Sequence, residues 1–238
     1  MAKSRGSAMD NARLNEEKRI AGYHAAGMVE EGGIVGLGTG STVLFAMERL
    51  GARIAEGLSV AGIPTSYQAA LRAREYGIPL ASLDEHPKID IAIDGADQVD
   101  PRFNLIKGRG AAHLREKIVA DAADQLVIVV DRTKMADRLD APVPIEVLPF
   151  ACSPVLRRLT GMGGRPVLRE AVKKDGPVIT DNGNLVIDCS FGAIGDAAAL
   201  EAAISAIPGV VGCGLFTAFG KKMKVVIGDG RECRVLSL

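Results

Sequence analysis

Three short runs carry most of the constraint in this chain: Ile34-Val35-Gly36-Leu37, Ile89-Asp90-Ile91-Ala92-Ile93 and Gln125 to Val130. They are largely apolar, lack the alternation of a half-exposed strand, and are each followed by a polar loop, so they read as strands buried on both faces. Helix-like segments lie between them, and parallel strands need such crossovers. The expected fold class is therefore α/β: a Rossmann-like, mainly parallel sheet with helices on both faces. Ligands of such sheets sit beyond the carboxyl ends of the strands, which directs attention to the loops after Leu37, Ile93 and Val130.

Asn15 followed by Glu16 and Glu17 predicts a helix start, with Gly32-Gly33 ending the helix, and residues Met1 to Asp10 read as a mobile tail. A second helix runs through Leu44, Met47 and Leu50. Strands are expected at Leu58 to Ile63 and Ile78 to Ala81. Between them, Thr65-Ser66-Tyr67-Gln68 has the form of a capping box and Gly77 closes its helix. Another helix is expected over Ala111 to Ala123. From about Ala141 the rhythm changes. Strands at Ile145 to Leu148, Val167 to Ala171, Val178 to Asp188 (turned around Asn182-Gly183) and Val210 to Leu215 interleave with helices at Ser153 to Leu159 and Ala197 to Ile207. The order β-α-β-β-α-β is that of a ferredoxin-like α+β subdomain. Lys224 to Ile227 reads as a strand rejoining the first sheet. The expected division is 1–140 with 217–238 as the Rossmann-like catalytic domain and 141–216 as the ferredoxin-like subdomain.

The 238 residues suffice for one large or two small domains without a disulfide or metal staple. Lys and Arg number 29 against 29 Asp and Glu, so no basic excess marks a nucleic-acid partner. No apolar run approaches the ~20 residues that span a bilayer. Cys152, Cys189, Cys213 and Cys233 form no C-x-x-C pair, and with three histidines a metal site is not expected. These features, with no signal-peptide segment, give a cytoplasmic expectation.

Four segments can carry chemistry. Gly36 to Thr42 joins a strand to a helix. Its glycines let backbone N–H groups approach an anion, and Thr39, Gly40, Ser41 and Thr42 are candidate phosphate contacts. Ser41 breaks the dinucleotide G-x-G-x-x-G pattern and no Gly-Lys-Ser/Thr follows, so a nucleotide enzyme is disfavoured. The bland reading is a tight turn with a capping serine. Asp94-Gly95-Ala96-Asp97 leaves a buried strand with two carboxylates, suited to sharing protons or holding sugar hydroxyls; the bland reading is an Asx turn and a helix cap. Lys107-Gly108-Arg109-Gly110 brings an ammonium within reach of a developing oxyanion, and Glu116, in the second turn of the next helix, is a plausible general base. Read blandly, Arg115-Glu116-Lys117 is a solvated charge run and His113 a surface or cap residue. Lys134 and Lys18 could neutralise a phosphate, or be ordinary surface lysines.

The chain resembles the type A ribose-5-phosphate isomerases over nearly its whole length. The likeness rests on GTGST (38–42), IPTSYQA (63–69), DGAD (94–97), NLIKGRG (104–110), REKIVA (115–120), IEVLPFA (145–151), ITDNGN (179–184) and AIPGVV (206–211). The resemblance implies reversible interconversion of D-ribose 5-phosphate and D-ribulose 5-phosphate without metal or organic cofactor, by a homodimer or homotetramer. It implies that Glu116 moves a proton between C2 and C1 through an enediolate, and that Lys107 stabilises the oxyanion. Asp94 and Asp97 then hold substrate hydroxyls and help open the ring, while Thr39 to Thr42, Lys18 and Lys134 contact sugar and phosphate.

Two departures stand out. Arg109 replaces a glycine of the family's K-G-G-G; were φ positive there, its side chain would cost ~1–2 kcal/mol. Gln98 stands where the family has an acid, and its neutral side chain would leave nearby carboxylates weaker bases. They motivate one alternative from another class, a sugar-phosphate-binding sensor or degenerate paralogue.

Overall fold

The computed structural model describes residues 2–230 and 232–238, with side chains from Asp10 onward. In chain order the elements are α1 (Ala2–Gly27), β1 (Ile34–Leu37), α2 (Ser41–Ala55), β2 (Ala61–Pro64), α3 (Tyr67–Glu75), β3 (Ile89–Asp94), β4 (Gln98–Val99), β5 (Leu105–Ile106), α4 (His113–Ala122), β6 (Ala123–Asp131), β7 (Val143–Val147), α5 (Cys152–Gly161), β8 (Arg165–Leu168), β9 (Leu185–Ser190), α6 (Ala197–Ser205), β10 (Val210–Cys213), β11 (Leu215–Phe216), β12 (Met223–Asp229) and β13 (Glu232–Ser237). They form two compact units. The first comprises residues 1–95, 119–135 and 221–238, the second 96–118 and 136–220.

The first unit is built on a six-stranded sheet of order β13-β12-β6-β3-β1-β2, parallel except for β13. Chain order reverses between β1 and β3, so their C-terminal ends lie at the topological switch point. Val35, Leu37, Ile91, Ile93, Val127 and Val129 are buried there with Val43, Met47 and Leu50 of α2, as the continuous apolar runs require. Ala21 and Ala25 of α1 share this core, and a Cβ at Gly22 would lie 2.8 Å from the backbone N of Ala46. Small residues on α1 thus let it lie directly against α2.

The second unit holds two small sheets. One is four-stranded and antiparallel, order β10-β7-β9-β8, with α5 after β7 and α6 after β9. This is the ferredoxin-like arrangement the sequence predicts, in which the first and second strands are separated by the third. The other, β11-β5-β4, was not foreseen: its strands have two residues each, too short for any periodicity to register.

Other expectations need correction. α1 starts at Ala2 instead of at Asn15: the stretch before Asn15 holds helix-compatible residues and one glycine, which costs only about 1 kcal/mol in a helix. Met1, part of the expected tail, lies outside the described residues. Ile78 to Ala81 is no strand; Leu80 makes a single bridge to Gly62. α4 begins at His113, because Ala111 is left-handed with φ 57°. Val178 to Asp188 does turn at Gly183 (φ 80°), but its first arm makes only isolated bridges. The strand expected over Val210 to Leu215 breaks at Gly214, whose two flanks join different sheets. β13 was not anticipated: its face is largely exposed and charged, which masks the strand. The compact units divide the chain differently from the sequence reading: residues 96–118, 136–140 and 217–220, there grouped with the Rossmann-like part, fall in the second unit.

Candidate active site

In the first unit, the loop after β1 leads into α2 through Gly40, the helix N-cap, with φ 128° and no side-chain cap. The capping serine of the bland reading is therefore absent: Ser41 is the first helical residue, and the first-turn N–H groups meet no capping side chain. Asp94, at the end of β3, is 4% exposed, and its Oδ1 accepts from the N–H groups of Thr39 (3.3 Å) and Gly95 (2.7 Å). A Cβ at Gly38 would sit 2.2 Å from that oxygen, so only glycine lets the carboxylate in. The Thr39 hydroxyl is already engaged, 2.9 Å from the Thr65 hydroxyl and 2.7 Å from that of Ser66. Ser66, not Thr65, caps α3 by accepting from the Ala69 N–H. The cap thus falls one residue later than the capping-box pattern predicts, and Thr65 serves the β1 loop instead, donating to the Leu37 carbonyl.

After β6, Asp131 is buried and caps a short 3-10 turn of residues 132–134 by accepting from the Thr133 N–H. Lys134 ends this turn, half-buried, and Lys18 is half-buried on α1. Beside Lys18, the fully buried Glu17 pairs with Arg13 (3.2 Å) and Arg132 (3.3 Å).

In the second unit, Lys107 follows β5 and Glu116 lies in the first turn of α4, one turn earlier than expected. The Lys107 ammonium stands 3.2 Å from Glu116 Oε2, with side chains 4% and 5% exposed. The solvated charge run is thus overturned for Glu116, because α4 turns that side chain inward while Ile118 is exposed. Asp97, whose N–H donates to the Ile106 carbonyl, accepts the Arg109 N–H at 3.0 Å. The β4–β5 register, carried one residue further, sets Asp97 opposite Lys107.

Asp94 with Gly38 to Thr42, Lys18 and Lys134 belong to the first unit; Ala96, Asp97, Lys107 to Gly110 and Glu116 belong to the second.

Gly108, not Arg109, holds the positive φ in the glycine turn, at 110°, so the strain feared for Arg109 does not arise. A Cβ at Gly108 would lie 2.8 Å from His113 Nδ1. His113 is therefore no surface residue. It is fully buried, and burial, with the charges of Lys117, Arg169 and Lys107, drives its pKa down to about 3 despite a backbone contact at Gly212. Burial thus favours the neutral imidazole near pH 7. Gln98 is also accounted for: its amide donates to Asp140 Oδ1 at 2.6 Å while its carbonyl accepts the N–H groups of Asp140 and Ala141, both at 2.9 Å. A carboxylate could not donate to Asp140.

Sequence reasoning missed Phe216, whose ring centroid lies 5.5 Å from the Lys107 ammonium and 4.7 Å from that of Lys117. Lys117 in turn pairs with Glu201 and donates to the Leu215 carbonyl at 2.7 Å. No local signal marks these contacts, which come from segments about a hundred residues apart. Among the described residues no three His, Cys, Asp or Glu side chains form a metal-binding group, no helix is long and apolar enough to cross a membrane, and the four cysteines are free.

The first unit is an α/β fold with a glycine loop at the switch point of its parallel sheet, the place where such sheets hold ligands, and the second buries a carboxylate–ammonium pair. Residues 61–232 match the family model of ribose 5-phosphate isomerase A, also called phosphoriboisomerase A. The ribose-5-phosphate isomerase A of Methanoregula boonei is 59% identical over 220 residues, 92% of this chain and 93% of that protein. The solved ribose 5-phosphate isomerase A of Methanocaldococcus jannaschii superposes with a TM-score of 0.88 at 44% identity, covering 93% of this chain and 98% of that one. A D-ribose-5-phosphate isomerase solved in complex with phospho-erythronic acid gives 0.91 at 43% identity, covering 94% and 99%. The chain belongs to the ribose 5-phosphate isomerase A family.

Proposed function

We propose that this aldose–ketose isomerase converts D-ribose 5-phosphate to D-ribulose 5-phosphate with Glu116 as the base. The buried Lys107–Glu116 pair carries this reading. Glu116 takes the C2 proton of the open-chain aldose and returns it to C1. As the proton moves, negative charge passes from the carboxylate to the enediolate oxygen, and the Lys107 ammonium is there to meet it. The donor is preorganised, so little rearrangement is needed as the charge shifts. Asp97 and Asp94 hold the reacting hydroxyls, help open the ring and move the hydroxyl proton between O2 and O1. The N–H groups and hydroxyls of Thr39 to Thr42, together with Gly95, Ala96 and Gly108 to Gly110, bind the sugar and its phosphate. Lys18 and Lys134 neutralise the phosphate. The relative that binds phospho-erythronic acid supports a phosphorylated sugar as the ligand.

The reaction proceeds without metal or organic cofactor in a reducing compartment, the cytoplasm. The four free cysteines support the location, with burial pushing the thiols of Cys189 and Cys213 up to about 11. The proposed assembly is a homodimer or homotetramer; sedimentation of the full chain tests it. Ribulose 5-phosphate formation in the presence of EDTA tests the chemistry. Wild type turns over undiminished, and Glu116→Gln loses about 10²–10⁴-fold in kcat while keeping its fold. Near-full activity in that variant would remove Glu116 from the base role.

A further inference from the structure

The loop from Lys107 to Ala111 is conformationally expensive. Gly108 holds φ 110° and Ala111 φ 57°, the latter in a region where a Cβ costs about 1–2 kcal/mol. Such a backbone persists only when its surroundings over-determine it. One link is internal, from the Ala111 N–H to the Gly108 carbonyl at 3.0 Å. Beside the Lys107 N–H to the Gly214 carbonyl (2.8 Å) and the Arg109 N–H to Asp97, two more come from Arg169, just beyond β8. Its Nη1 donates to the carbonyls of Gly108 (2.9 Å) and Arg109 (3.1 Å). Its Nε and Nη2 grip Asp188 of β9 at 2.7 and 2.5 Å. The pair is mostly buried, with side chains 15% and 31% exposed.

We infer that Arg169, oriented by Asp188, is a positioning residue for the isomerisation. Its guanidinium fixes the 108–109 peptides, so that the Arg109 N–H meets Asp97 Oδ2 and the loop holds Lys107 and Glu116 at pairing distance. The inference deepens the reading above and rests on the roles given there to Asp97, Lys107 and Glu116. A planar guanidinium can serve a carboxylate with one edge and two carbonyls with its remaining nitrogen; an ammonium cannot do both at once. Arg169 touches none of the reacting groups, so its effect has to pass through the loop.

The test is steady-state isomerisation of ribose 5-phosphate by the full chain carrying Arg169→Ala, Arg169→Lys, Asp188→Asn or Asp97→Asn. Misplacing the loop by a fraction of an ångström should lower kcat about 10–100-fold in Arg169→Ala and shift KM much less. Arg169→Lys should recover little, and Asp188→Asn should show a smaller loss of the same kind. Added guanidinium ion, well below denaturing concentration, should restore part of kcat in Arg169→Ala, whereas potassium chloride of equal ionic strength should not. In the Asp97→Asn background, the Arg169→Ala penalty should shrink. If Arg169→Ala does not fold, Asp188→Asn and Arg169→Lys carry the test. Wild-type kcat in the foldable Arg169 and Asp188 variants, or a loss in them that guanidinium does not relieve and that adds fully to Asp97→Asn, overturns the inference. Full turnover in Asp97→Asn and Glu116→Gln would instead defeat the roles on which it rests.

Discussion

The two units differ in how their strands are specified. The six-stranded sheet of the first buries apolar strands on both faces and, past the ends of β1 and β3, packs the Asp94 carboxylate against Gly38. The second unit buries the ionisable side chains Lys107, Glu116, His113 and Glu146, all no more than 5% exposed, where the first buries the acids Glu17, Asp94 and Asp131. Buried charge is tolerable only with partners. The second unit supplies them through long-range contacts, as at Glu146, whose Oε1 accepts from Thr180 (2.8 Å), Asn182 (3.0 Å) and Asn184 (2.8 Å). A large apolar sheet can therefore be specified by local pattern, whereas a polar interior has to be specified by tertiary pairing.

This contrast can be broken at several points. The largest expected effect outside catalysis is Glu146→Leu, which leaves two buried side-chain donors, Thr180 and Asn184, without their acceptor and should cost roughly 3 kcal/mol, read as a shift in urea midpoint. Next come two glycine substitutions, one in each unit. Gly108→Ala meets both a positive φ and the His113 ring, and Gly38→Ala meets the Asp94 carboxylate. Each should cost about 2 kcal/mol and depress kcat, while Gly40→Ala, with open space at its Cβ, should cost only about 1 kcal/mol. Equal costs at Gly38 and Gly40 would contradict the close approach of Asp94.

His113 sharpens the comparison through pH. Its folded pKa of about 3 lies below the ordinary value of 6.5, so between the two the unfolded chain binds the extra proton. Stability is fully present above pH 6.5 and is lost as pH falls toward 3, by at most about 1.4 kcal/mol per pH unit from this group. His113→Leu should flatten that slope in denaturant titrations between pH 6.5 and 4.5, and an unchanged slope would mean that the ring is not held neutral. The smallest effect is expected at Gln98→Glu. It turns a hydrogen bond to Asp140 into a repulsion at a partly exposed position, costing about 1 kcal/mol at pH 7 and less in acid.

Sequence alone determined the parts whose physics is local. The apolar runs of β1, β3 and β6 announced a parallel sheet, and the glycines after Leu37 announced a turn between β1 and α2. The β-α-β-β-α-β order announced the second sheet, because apolar pattern, turn residues and caps act within a few residues of each other. The candidate residues were legible as motifs, yet sequence could not separate Glu116 from a surface charge run or His113 from a cap residue. Only tertiary structure decided those questions. Lys117 of α4 donates to the Leu215 carbonyl of β11, nearly a hundred residues on, and the His113 ring lies where a Cβ at Gly108 would go. The partners of Lys107, Asp97 and Gln98 are reached through backbone and side chains distant in sequence. A buried charge takes its meaning from whatever neutralises it, and the chain brings those groups together only on folding.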